Sequence, residues 1–161
     1  MQTPKAVGLP LTWPTEPYAF VWRLHSAIRD GDVESIRSVI QLNPELHNTE
    51  PDLLHCACQC GRLEVVKVLI QELRWNPQCR TVTNGNRHVH VHQYKWEEGD
   101  TPLHVACRCG HTEIVRYLKH SSGESIPNAT TGELPLHIAC YRKDLELVKL
   151  VSDCDVKLCQ N

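Results

Sequence analysis

A chain of 161 residues, 41% hydrophobic and 22% charged, is long enough to bury a core and has ordinary globular composition. Its formal net charge of −2 argues against a nucleic-acid partner, because phosphate binding leans on clustered Lys and Arg. No run approaches the roughly 18 apolar residues that span a membrane, and the proline-broken start, MQTPKAVGLPLTWPTEP, does not read as a signal peptide.

Nine cysteines is a high and odd number. With no secretion signal, they are read as reduced thiols of a cytoplasmic, or alternatively nuclear, protein. Asn128-Ala129-Thr130 is formally a glycosylation sequon and is read as chance.

In chain order, residues 1–19 form an N-terminal extension, and Trp13 and Tyr18, with Phe20 and Trp22, are expected to cap the first repeat. The repeat is one phrase that recurs: WRLHSAIRDGDVESIRSVI from Trp22, LLHCACQCGRLEVVKVLI from Leu53, TPLHVACRCGHTEIVRYLKH from Thr101 and LPLHIACYRKDLELVKLV from Leu134. His25, His55, His104 and His137 keep the same place, 30, 49 and 33 residues apart. A period of about 33 residues fits, with units at 20–49, 50–75, 99–130 and 131–161 and an insertion at 76–98.

Each unit predicts two helices. Thr101 is an N-cap, and Pro102 follows at the first helical position, where no N–H is needed. Leu103, Ala106 and Cys107 give a small apolar face, and Gly110 supplies the left-handed end. Ile114, Val115 and Leu118 make the inner stripe of the second helix. Neither helix buries its face alone, whereas stacked units share a core. Glu64, Glu113 and Glu146 recur on the outer, solvated side.

TPLHVACRCGHTEIVRYL resembles the ankyrin repeat, whose signature is T-P-L-H-x-A. The match is near-complete in the third unit, good in the second and fourth, and weakest in the first, and it spans about residues 20–160. In the fourth unit Leu134 stands where Thr would cap, and Lys143 stands where Gly would end the helix. The lost cap alone costs about 1 kcal/mol. In the second unit Asp52 takes the capping place.

The resemblance implies an all-α ankyrin-repeat solenoid of about four helix-pair units, 20–161, with a β-hairpin insertion. It implies that the LH histidines are structural, bonding within and between neighbouring loops. It also implies protein binding through a concave groove. Carried over by position, the helix contacts are Arg29, Asp30, Gln59, Cys60, Arg108, Cys109, Tyr141 and Arg142. The tip contacts are Val21, Pro51, Asp100 and Glu133. Tyr and Arg dominate interface hot spots, which favours Tyr141 and the arginines.

A histidine three residues before a cysteine, as in LHCAC, could suggest a nucleophilic dyad. Recurrence in register instead makes Cys58, Cys107 and Cys140 packing residues in a small buried slot. Cys56, Cys58 and Cys60 do not close a zinc site, because Cys58 turns away from the other two and a tetrahedral site needs four ligands. A Cys60–Cys109 disulfide spans too far for neighbouring helices.

In the insertion, Asn84-Gly85 signals a type I′ hairpin turn between alternating flanks. Trp75 and Trp96 bracket it and are expected to pack together. The paired strands place Cys79, His88, His90 and His92 on one face and the valines on the other. Two readings stand. Cys79, His88 and His90 could chelate a metal, or HVHVH is a half-buried strand with one wet face. The second weighs more.

The function expected is therefore a scaffold that binds a partner protein, with no cofactor and no catalysis. Rival readings are a targeting or regulatory segment of a larger signalling protein and a metal-responsive module. VSDCDVKLCQN resembles a run into another repeat, so the chain is read as a monomer or part of a longer chain.

Overall fold

The computed structural model describes residues 18–44, 52–81, 96–122 and 125–155, and every regular element within them is helical. The helices come in pairs: α1 (Tyr18–Asp30) with α2 (Val33–Leu42), α3 (Leu53–Gln59) with α4 (Leu63–Lys67), α5 (Pro102–Cys109) with α6 (Thr112–Ser122), and α7 (Pro135–Arg142) with α8 (Leu145–Asp155). α4 runs on through a π turn, Val68–Glu72, whose widened spacing lets Leu73 N–H reach the Val68 carbonyl at 3.1 Å. The pairs stack: α3 lies between α1 and α5, α5 against α7, and α6 between α4 and α8.

Small residues set this spacing. Ala57 with Cys58, and Ala106 with Cys107, are wholly buried on first helices that have another first helix packed on each side. The second helices contribute Val65, Val66 and Leu69, then Ile114, Val115 and Leu118, then Leu147 and Val151. One continuous apolar cluster results. Cys140 departs from expectation and is exposed. Cys58 and Cys107 sit on helices with α5 and α7 stacked beyond them, whereas no described helix stacks beyond α7.

His55, His104 and His137 bond as the repeat implies. His55 Nε2 lies 3.0 Å from the Asp100 carbonyl, and His104 Nε2 lies 2.9 Å from the Glu133 carbonyl. A carbonyl only accepts, so Nε2 carries the proton and Nδ1 is an acceptor. Accordingly Thr101 N–H donates to His104 Nδ1 at 3.1 Å, and Leu134 N–H donates to His137 Nδ1 at 3.0 Å. The fourth helix pair thus keeps the histidine half of its helix start without a hydroxyl. Asp52 does not act as the expected cap; its Oδ1 lies 3.8 Å from His55 Nδ1, and it makes no side-chain cap bond to α3.

A second set of bonds runs the other way along the stack. Arg62 Nε donates to the Arg29 carbonyl at 2.9 Å, His111 Nε2 to the Gln59 carbonyl at 3.0 Å, and Arg142 Nη1 to the Arg108 carbonyl at 2.7 Å. Each places a donor from one unit on an open carbonyl at the end of the preceding first helix, where the helix dipole is negative. The donors lie across the helix-ending glycines. A Cβ on Gly61 would come within 2.8 Å of the His111 ring, and one on Gly110 would collide with the Arg142 guanidinium. Gly110 therefore suits its left-handed φ of 81°, and a side chain there would also displace the Arg142 guanidinium. Lys143 holds the same left-handed turn at φ 57°.

The β-hairpin and His88, His90 and His92 lie outside the described residues. Its described flanks are not strands. Cys79 follows a turn in which Gln78 N–H bonds the Asn76 side chain at 2.9 Å and Cys79 N–H bonds the Asn76 carbonyl at 3.1 Å. The Asn-Pro start favours that turn over an extended run. The insertion is closed at its base by Thr81, whose N–H donates to the Asp100 carbonyl at 2.9 Å and whose carbonyl accepts from Gly99 N–H at 3.1 Å. Trp75 is buried in the core, and Trp96 packs a tilted 6.0 Å from the His55 ring.

Lys143→Gly relieves a left-handed non-glycine residue and should stabilise the fold by about 1 kcal/mol, whereas Gly110→Ala should destabilise it by at least as much; denaturant midpoints compare the two. Burial lowers the His104 pKa below its ordinary value. The unfolded chain therefore takes that proton first, so this contribution to stability is complete above about pH 6.5 and falls as pH drops toward the folded-state value. Thermal melts from pH 7 downward should show a shallower loss in His104→Gln than in the wild type.

Candidate functional site

The expected contact residues do not share one environment. Arg29, Asp30, Tyr141 and Arg142 are exposed, while Gln59, Cys60, Arg108, Cys109 and Glu133 are partly buried. Asp100 and Val21 are buried, and Pro51 lies outside the described residues. Burial removes Asp100 from the reach of a partner and gives it a different task.

Asp100 organises the wall of a groove. Its Oδ1 accepts from Asn128 Nδ2 at 2.7 Å, and its Oδ2 accepts from Glu97 N–H at 2.9 Å and Arg108 Nη2 at 3.2 Å. Arg108 is thereby held upright at the end of α5. Its guanidinium also lies 3.4 Å from Glu97 Oε1 and 3.7 Å from Glu133 Oε2. Three carboxylates around one guanidinium fix its position far better than a single surface pair, since only the pair with Asp100 is sheltered from water.

Asn128 is the residue that sequence reasoning passes over. It is buried, and its amide is fully used: Nδ2 donates to Asp100 and to the Glu98 carbonyl at 3.1 Å, and Oδ1 accepts from Thr130 N–H at 2.7 Å and Thr131 N–H at 2.9 Å. The signal is present in the residues, because Asn128 and the Thr130-Thr131-Gly132 run that begins two residues later are turn chemistry. The overlapping sequon masks it. With Nδ2 occupied and buried, a glycan at this position is incompatible with the fold.

Beside this wall opens a groove of about 790 Å³ lined by Glu97, Arg108, Thr131, Gly132, Glu133, His137, Cys140 and Tyr141. Arg108, Glu133 and Tyr141 are expected contacts, and the structure brings them together here. Glu97 and His137 join them unforeseen. Tyr141 is 82% exposed on α7, and Leu145, 74% exposed, begins the next helix. A large aromatic so fully in water has no packing task in this unit. Arg29, Asp30, Gln59 and Cys60 belong to the earlier units and do not line this groove.

Among the described residues no group of three or more His, Cys, Asp or Glu side chains is placed to hold a metal. Burial pushes the Cys79 thiol up to about 12, so it is protonated near neutral pH. No described helix is long and apolar enough to cross a membrane.

A family model for ankyrin repeats, in three copies, matches residues 24–126 and 79–160. A search of curated proteins returns no match. Ankyrin repeats are generally protein–protein interaction modules and typically not enzymes. The LH histidines, the left-handed helix ends and the stacked helix pairs agree with that match, and the chain belongs to the ankyrin-repeat family.

Proposed function

We propose that each of the four helix pairs is one repeat, and that the stack is a scaffold binding a partner protein at the groove beside α5 and α7. The observation that carries this reading is the convergence of Arg108, Glu133 and the exposed Tyr141 on one open groove. Tyr141 is the anchor: it offers a large amphipathic surface at low conformational cost. Arg108 and Glu133 form the polar rim, pre-set by Asp100, so little ordering is required when a partner arrives. The protein acts by holding that partner, in the cytoplasm or nucleus, without a cofactor.

This division of labour separates two variants. Tyr141→Ala should leave the fold intact and weaken partner binding by about 2 kcal/mol, roughly thirtyfold. Affinity capture from lysate with mass-spectrometric readout, followed by titration of the captured protein, measures it. Full-affinity binding by Tyr141→Ala would move the site elsewhere on the stack. Asp100→Ala should instead cost about 3 kcal/mol of stability, because it strands the Arg108 guanidinium, the Asn128 amide and the Glu97 N–H. Urea unfolding reads that loss directly.

A further inference from the structure

The groove beside α5 and α7 is unevenly charged. Arg108 is the sole Lys or Arg of its lining, against two carboxylates, Glu97 and Glu133. A third, Asp100, is buried behind them. The Arg108 guanidinium makes its hydrogen bond to Asp100, at 3.2 Å, and stands farther from Glu97 and Glu133, at 3.4 Å and 3.7 Å. Asp100 is out of water, so its attraction for Arg108 is the least screened of the three. Those two charges balance each other, and the charges of Glu97 and Glu133 are left over on the groove wall. The Glu97 side chain is 54% exposed, open to whatever enters.

Neighbouring cations do not fill the deficit. Arg142 is not part of the lining; its guanidinium lies over Gly110 and donates to the Arg108 carbonyl at 2.7 Å. Arg80 Nη1 donates to the Pro127 carbonyl at 2.8 Å, and Lys143 also lies outside the lining. His137 does line the groove, but its Nδ1 accepts from Leu134 N–H, as a neutral ring does.

Tyr141 lines the same groove with its side chain in solvent. The face of a tyrosine ring is electron-rich and attracts cations. Two independent features, surplus carboxylate and open aromatic face, therefore select the same sign of charge. An apolar segment would have to strip water from the carboxylates with nothing to replace it, and an acidic one would be repelled.

We infer that the partner protein presents a cationic segment to this groove, with an Arg or Lys side chain against the Tyr141 ring and its charge shared with Glu97 and Glu133. The inference rests on the groove being the binding site, as proposed above. Asp100 is what makes it possible: by holding Arg108, it keeps the one resident cation from neutralising the wall.

The test is a random linear peptide library displayed on phage and panned against the immobilised full chain at low ionic strength. Selected peptides should be enriched in Arg and Lys over the unselected library. Synthesised with a fluorescent label, they are titrated by anisotropy against groove variants. Glu97→Gln should weaken them about threefold, and Glu97→Gln with Glu133→Gln about tenfold. Both positions bond the fold through main-chain atoms that Gln keeps, the Glu97 N–H and the Glu133 carbonyl, and thermal melts verify that the variants are folded. Tyr141→Phe, which retains the ring face, should bind as the wild type does. Tyr141→Leu, which retains apolar surface without it, should lose at least about threefold. Peptides that need Tyr141 but show no excess of Arg and Lys, or that tolerate both glutamine changes or Tyr141→Leu, overturn the inference and leave the groove as the site. Basic peptides indifferent to every groove variant overturn the inference and the site together. Enrichment of acidic peptides, or of none, also overturns it.

Discussion

Everything in this protein depends on how one helix pair is joined to the next. A single pair exposes too much apolar surface to persist, and a stack buries that surface only while its spacing and register hold. Burial is non-directional and would tolerate slippage. The direction comes from histidines buried at the unit boundaries. His55 and His104 each commit a ring N–H to a carbonyl of the next unit, at Asp100 and Glu133. A buried donor left unmade costs more than a made one gains, so these contacts penalise every wrong register.

The groove inherits its order from those joints. Asp100 has its carbonyl on His55 and its carboxylate beneath Arg108, so one residue couples the stacking contact to the groove wall. Asn128 ties the same carboxylate to the following loop. The polar residues that look most like a binding surface are therefore partly structural. The side chain with no such duty is Tyr141, which stands in solvent on the last described first helix.

Much of this is legible from residues alone. The TPLH phrase marks the helix start at Thr101-Pro102, Gly110 its end, and the LH histidines the joints. What escapes is anything that needs two units at once. Arg62, His111 and Arg142 reach back onto the preceding helix end, and nothing in a single repeat reveals that reach. Cys140 defies its expected burial for the same reason, since its slot is closed only when another first helix lies beyond it. Asp100 holds a tip position by repeat numbering, but its surroundings, set by Asn128 28 residues away, bury it. The strand expectation around Cys79 gives way to a local Asn-Pro turn.

The paired bonds at the two junctions beyond the second helix pair have a mechanical meaning. Between the second and third helix pairs, His55 holds the start of one first helix and His111 holds its end. Between the third and fourth, His104 and Arg142 do the same. A body pinned at one point can swivel; pinned at both ends of its axis, it cannot. From the second helix pair to the fourth the stack is thus a row of double-pinned plates, and bending it there spreads small tilts over both joints rather than opening a single hinge.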